Sequence, residues 1–332
     1  MSKKKVVCIG EALIDRIRNK SNQEFFDFLG GAPANVACAL KKLKIDSIFI
    51  GRLGSDDFGK KFIAQFNKLE VNLDFLQIDN DLSTRVVNVD RDQFGDRFFS
   101  GFEASSHLCF ADEALSKKLI EKELPNLEKF FLETKYLVTG TILLTSPMSA
   151  EAIFFLLEQA NKFEVKIVID LNWREVFWDN SSFSSAISKT ARVNLIKKFL
   201  NHADVLKLAK EEATLFFEHD NPFLISQQMS KRPDVVITDG KNPVKWYING
   251  LQGTTETPNS QKIVDTTGAG DTFLAGLISK LISSGYPSNE LEIEDCVKFA
   301  CVCGLLACFG EGAIEQQPDY EKVNKFLGSL IT

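Results

Sequence analysis

Short apolar or β-branched runs recur along the chain: KVVCIG (5–10), SIFIG (47–51), YLVTG (136–140), KIVID (166–170), DVLKL (204–208) and DVVITDG (234–240). Each spans five to seven residues, and most end in glycine or a polar residue, which predicts strands. Between them lie PANVACALKKL (33–43), FGKKFIAQFNKL (58–69), SAEAIFFLLEQANKF (149–163) and ISKTARVNLIKKFL (187–200). Their apolar residues fall at three- and four-residue spacing, which predicts helices. Strand and helix in alternation predict parallel βαβ units with helices on both faces of one sheet. Ligands of such sheets collect at the carboxyl ends of the strands.

Two regions break the rhythm, 12–30 and 84–108, where apolar and polar residues alternate around turn-forming pairs. Each predicts an antiparallel excursion, and together they form a small sheet that covers a cleft as a lid does. The tracts DNSSFSSAISK (179–189) and INGLQGTTETPNS (248–260) predict surface connections.

Composition narrows the class. With 332 residues, 44% of them hydrophobic and 25% charged, the chain can bury a large core and has the make-up of a soluble enzyme. A net charge of −6 with scattered Lys and Arg argues against a nucleic-acid groove. The apolar run after MSKKK stops at Glu11, and FACVCGLLACFG (299–310) is shorter than a membrane span, so a soluble, cytoplasmic protein is expected. Seven cysteines, an odd count, point to a reducing compartment. Cys296, Cys301, Cys303 and Cys308 have the wrong spacing for a zinc site and are expected as small apolar residues of a buried helix.

The richest chemistry lies in VDTTGAGDTF (264–273), where KIV (262–264) is expected as a strand leading through glycines into an apolar helix. The first N–H groups of a helix lack intrahelical partners, so those of Ala269, Gly270 and Asp271 form a seat for a phosphate. Two roles fit Asp271: taking a proton from a substrate hydroxyl, or complementing the helix dipole as a capping acid. The glycine pair favours the first, because glycine lets backbone approach a ligand closely.

Other elements are ambiguous on their own. GSDDFGKK (54–61) approaches a P-loop, but Lys61 stands where Ser or Thr is needed and Asp56 and Asp57 would repel phosphate, so a turn opening a surface helix is expected. In LGGAPANVACAL (29–40), Gly30 and Gly31 precede a helix whose Asn35 either caps it or offers its amide to a ligand hydroxyl. Glu11 or Asp15 in VCIGEALID (7–15) can accept hydroxyl hydrogen bonds. IDLNWREVFW (169–178) sets Asp170, Asn172 and Arg174 at and beyond the end of a strand. Arg174 pairs there either with phosphate oxygens or with Asp170 or Glu175.

Taken in this order, the pieces resemble the ribokinase-like (PfkB) carbohydrate kinases. GGAPANVA (30–37) is similar to that family's N-terminal signature and DTTGAGDTFLAGL (265–277) to its C-terminal one, with GEALID, IDLNWR, ADVLKL and FGEGAI in matching places. The resemblance covers nearly the whole chain. It implies a three-layer α/β/α ribokinase-like fold with a mostly parallel central sheet and a small β-sheet lid, as a single domain over 1–332.

Residue by residue, the resemblance implies that Asp271 is the general base and that Gly268, Ala269 and Gly270 form the anion hole. Asp15, Gly30, Gly31 and Asn35 would hold sugar hydroxyls, with Asn172 and Arg174 reaching toward substrate or transferred phosphate. Thr238 and Gly240 would serve the nucleotide, ATP, together with Gly268 and Gly270. Mg²⁺ is implied with the nucleotide, and K⁺ near Asp265 and Thr267 with the backbone around Gly310 and Gly312. Where many members carry Asn-x-x-Glu linked to Mg²⁺, this chain has Ala209 and Glu212.

The segments GEALID, GGAPANVA and DLNWREVFW are most similar to the fructokinase branch, although RFFSGFEASSH (97–107) lacks a Tyr-Arg-Asn run. The expectation is ATP-dependent phosphorylation of a primary hydroxyl on a sugar, fructose first. Ribose, 2-keto-3-deoxygluconate and nucleosides stay open, as does an inactive sugar-binding regulator of the same fold. A dinucleotide-dependent dehydrogenase is disfavoured because no G-x-G-x-x-G follows the first strand. A homodimer through the lid is a further expectation, with no nucleic-acid or membrane partner.

Overall fold

The computed structural model describes residues 4–18, 25–91, 97–102, 110–180 and 188–330. Its first strands are β1 (Lys5–Ile9), β2 (Leu13–Arg18), β3 (Phe25–Gly30), β4 (Ser47–Ile50), β5 (Arg52–Gly54), β6 (Gln77–Asp79), β7 (Val86–Arg91) and β8 (Arg97–Phe102). The later ones are β9 (Thr134–Thr139), β10 (Lys166–Asp170), β11 (Val205–Ala209), β12 (Asp234–Asp239), β13 (Asn242–Ile248) and β14 (Leu251–Thr255). The central sheet has the order β14-β13-β12-β11-β10-β9-β1-β4. From β12 to β4 every pairing is parallel. The six strands predicted from apolar runs are β1, β4, β9, β10, β11 and β12.

Strand side chains alternate between faces, so each buried strand feeds two cores. Val6, Cys8, Tyr136, Val138 and Val168 belong to one core, shared with the helices Ala32–Lys42, Ala269–Ser283 and Glu290–Ala307. Val7, Ile9, Leu137, Ile167 and Ile169 belong to the other, shared with the helix Pro147–Lys162 and the helix Lys189–Leu200. Cys296, Cys301 and Cys303 are buried in the helix Glu290–Ala307 as apolar side chains of the first core, and Cys308 is buried just past its end. Among the described residues no helix is long and apolar enough to cross a membrane.

Two expectations are corrected at the sheet edge. Residues 248–260 do not form only a surface connection: β13 and β14 pair antiparallel and extend the sheet. Their turn is Asn249–Gly250, both at positive φ (51° and 78°), the twist that a two-residue hairpin requires. Trp246 is buried beneath the hairpin and donates from Nε1 to Thr255 Oγ1 at 3.0 Å. Residues 262–264 do not form a strand: they are irregular, with Ile263 and Val264 exposed.

A second sheet has the order β3-β2-β7-β8. β2 pairs antiparallel with β3 and β7 antiparallel with β8, as the two excursions predict, while β2 and β7 join them in parallel. Positions 19–24, 92–96 and 103–108 of those excursions, and 181–187 of the first loose tract, lie outside the described residues. The segment that mimics a P-loop opens the helix Asp57–Lys68, with Asp56 Oδ1 accepting from Gly59 N at 2.8 Å. It is a capped surface helix.

Candidate active site

A cleft of about 810 Å³ lies at the carboxyl edge of the central sheet, with Leu13 and Asp15 of β2 and Val89 of β7 on the side of the small sheet. Of the residues singled out from the sequence, Asp15, Gly31, Asn35, Asn172, Arg174, Thr267, Gly268, Gly270 and Asp271 all line it. Residues more than two hundred positions apart are thereby brought to one place.

Asp271 stands in the first turn of the helix Ala269–Ser283, whose N-cap is Gly268 at φ 73°. That left-handed geometry suits glycine, and an added Cβ would lie 2.8 Å from the Ala313 methyl. One detail of the expected anion seat changes. The N–H of Ala269 donates to Thr266 O, ahead of the helix, at 3.2 Å, which leaves the first-turn amides of Gly270 and Asp271 for an anion.

Burial raises the Asp271 carboxyl to about 6, helped by the charge of Asp170 and opposed by the Asn35 hydrogen bond, Lys207 and Arg174. A carboxylate poised near neutrality is suited to accepting a proton. Asn35 belongs to the helix Ala32–Lys42, entered through Gly31 at φ 100°. There it makes no cap: its Nδ2 donates to Asp271 Oδ2 at 2.8 Å. Its Oδ1 is buried with no hydrogen-bond partner, an arrangement that a ligand hydroxyl would complete.

Glu11 follows β1 and accepts from Ala32 N at 2.9 Å through Oε1. Burial pushes its carboxyl up to about 8. Asp15 is buried in β2, in register with Phe28 of β3, and Gly30 at the end of β3 leaves room for its carboxylate.

On the opposite wall Asp170 ends β10 and is in register with Lys207 of β11. Lys207 Nζ contacts both carboxylate oxygens, at 3.1 and 2.9 Å. Asp170 is therefore paired with Lys207. Arg174 lines the cleft and donates from Nη1 to Trp173 O at 3.0 Å. Asn172 holds a positive φ of 44° beside it, a conformation Asn tolerates better than most residues.

The remaining candidates lie off the cleft wall. Glu212 accepts from Trp173 N (2.6 Å) and Ala209 N (2.8 Å), so both oxygens hold backbone, and its neighbour Glu211 is the one that lines the cleft. Thr238 closes the register of β12 against Ala209, and Gly240 at φ 56° turns the chain into β13. Both lie at the same sheet edge. Asp265 accepts from Thr267 N, Thr267 Oγ1 and Gly312 N at 3.1, 2.8 and 3.2 Å, clamping the loop before the helix to the segment at Gly312.

Lys207 and Glu11 carry more of this site than the motifs alone suggested. A lysine inside the apolar run VLKL was the available signal, since a charge in a buried strand requires a partner.

The family profile described as pfkB family carbohydrate kinase matches residues 3–319. The chain belongs to this family. Among similar carbohydrate kinases, a probable fructokinase-5 from Arabidopsis thaliana is 29% identical, the alignment covering 98% of this chain and 97% of that protein. A fructokinase with bound ATP from Xylella fastidiosa superposes with a TM-score of 0.85 at 26% identity, over 99% of this chain and 100% of that one. A fructokinase from Vibrio cholerae in its fructose, ADP and calcium ion bound form superposes with a TM-score of 0.82 at 27% identity, over 98% and 100% of the two chains. This carbohydrate kinase is an enzyme with the fold of the sugar kinases, a mostly parallel sheet between helices with a small second sheet beside it.

Proposed function

We propose that the chain transfers the γ-phosphoryl group of ATP to a primary hydroxyl of fructose, with Asp271 taking the hydroxyl proton. The observation that carries this reading is the pairing at the cleft floor. Asp271, raised toward neutrality, sits at open helix amides and is held by an Asn35 whose second polar atom has no partner. In-line phosphoryl transfer needs little covalent chemistry from a protein, only positioning and stabilisation of charge. The amides of Gly270 and Asp271 supply the latter, and Asp15, Gly31 and Asn35 hold the sugar hydroxyls. Arg174 and Asn172 face the transferred group. The small sheet acts as a lid that excludes water.

Similarity to fructokinases, one carrying fructose and another ATP, favours that sugar and that nucleotide. Thr238 and Gly240 serve the nucleotide side from the neighbouring strand end. Mg²⁺ is ordinarily held by one or two carboxylates plus substrate phosphates, and the exposed carboxylate of Glu211 on the cleft wall fits that need. Glu212 acts behind it by fixing the backbone of Trp173 and Ala209. The loop clamped by Asp265 and Thr267 is where K⁺ would bind. A Mg²⁺ held at Glu211 would supply positive charge against the phosphates of the nucleotide. Phe25 and Phe26 of β3 are about half exposed, which supports pairing of two lids in a homodimer.

An ADP-release assay over fructose, ribose, 2-keto-3-deoxygluconate and nucleosides tests the substrate. The proposal expects the highest kcat/KM with fructose. A tenfold preference for any other acceptor would replace fructose and leave the Asp271 chemistry standing.

A further inference from the structure

We propose that Lys207 is a catalytic residue of this kinase, its ammonium contacting the phosphoryl group in flight beside the helix amides. The proposal rests on the reading of the cleft as the site of phosphoryl transfer. Lys207 lies in β11 among Val205, Leu206 and Leu208, all buried, and is buried itself while still lining the cleft. Its Nζ is held at 3.1 and 2.9 Å by the two oxygens of Asp170. A paired buried charge of this kind is seldom the most stable solution for a core position, because well-packed apolar residues do as well or better. Stability alone therefore does not account for it.

Position supplies the account. An added Cβ on Gly270 would lie 2.9 Å from Lys207 Nζ, so the ammonium packs against the backbone whose N–H faces the cleft. Gly270 leaves the space that lets it do so. The charge of Lys207 also reaches Asp271, which it helps to keep ionised. An ammonium has three donors, and the contacts with Asp170 leave capacity for an anion arriving at the helix start.

In the transfer the sugar hydroxyl oxygen forms a bond to the γ-phosphorus. The bond from that phosphorus to the β,γ-bridging oxygen breaks, its electron pair leaves with ADP, and the hydroxyl proton passes to Asp271. Negative charge spreads over the three equatorial oxygens. Lys207 gives up no proton: it offsets that charge where water is excluded and a fixed donor acts most strongly.

The test compares Lys207→Met, Asp170→Asn and the double variant Asp170→Asn/Lys207→Met with wild type in steady-state assays. The double variant leaves neither member of the Lys207–Asp170 pair as an unpartnered charge and so guards against simple misfolding. The expected result is a kcat loss on the order of 10²- to 10³-fold for Lys207→Met, as for loss of one preorganised donor, with sugar KM within about threefold. The double variant should recover less than tenfold over Lys207→Met, and Asp170→Asn should keep more than a tenth of wild-type kcat. Recovery of tenfold or more in the double variant would overturn the proposal, as would an Asp170→Asn enzyme as slow as Lys207→Met, because the pair would then serve only its own charge balance. An Asp271→Asn variant assayed in parallel separates the two readings: full activity there defeats the site assignment itself, whereas an inactive Asp271→Asn beside a recovered double variant defeats only the role of Lys207.

Discussion

Asn35 Nδ2 donates to Asp271 Oδ2 at 2.8 Å, joining the first turns of two helices 236 positions apart in the chain. The bond orients the carboxylate and stabilises its ionised form. With the Asp271 carboxyl near 6, kcat/KM should fall about tenfold per pH unit below about 6 and level off above it. Asn35→Ala removes the bond, so the acid limb should move up by about one unit and the sugar KM should rise about tenfold or more. A pH–rate profile of both enzymes checks this. An unmoved limb would mean that Asn35 does not govern the carboxylate.

Glu11 gives a stability signature of its own. Its carboxyl is raised in the folded chain to about 8 from the ordinary 4.5 by burial. Below about pH 4.5 both states hold the proton and nothing is lost. As pH rises toward 8 the unfolded chain releases the proton while the folded chain retains it, so stability declines through that window. Glu11→Gln keeps an oxygen for Ala32 N and has no proton to lose. Its advantage over wild type in urea unfolding should grow from near zero at pH 4.5 to on the order of 1–3 kcal/mol at pH 8. Parallel curves for the two proteins would show that Glu11 is not held protonated.

Arg85 anchors the small sheet at the base of β7. It is buried, donates to both oxygens of Asp112 at 2.9 and 3.0 Å, and sits among the rings of Phe102, Phe110 and Phe177, 4.4 to 5.0 Å from their centroids. Glu113 lies 3.1 Å from the same guanidinium. Replacing Arg85 with Leu strands two acids, and thermal or urea unfolding should show a loss of about 3–5 kcal/mol. Because Phe177 also lines the cleft, sugar KM should rise as well. A variant as stable as wild type would mean that the acids find other partners.

The six parallel strands and the helices between them were legible because burial on both faces leaves unbroken apolar runs, while helices keep a three- to four-residue spacing. The hairpin of β13 and β14 was not, although Asn249–Gly250 is a turn signal, because Lys245 and Gln252 interrupt the apolar pattern at an exposed edge. KIV (262–264) failed in the opposite way: its apolar letters resemble a strand, yet its backbone is tied to Cys308 O through Val264 N at 2.8 Å and joins no sheet, and Ile263 and Val264 face outward. At the site, Asp271, Asn35 and the glycines could be read from local motifs. The ion pair of Asp170 and Lys207 could not, since it depends on the register of two strands distant in sequence.

The most direct measurement is the single-turnover rate of phosphoryl transfer by Asp271→Asn, with sugar affinity followed in parallel by calorimetry. Loss of a positioned general base should slow transfer by on the order of 10²-fold or more while sugar affinity stays within about threefold. An Asp271→Asn enzyme that transfers the phosphoryl group at the wild-type rate would contradict the account.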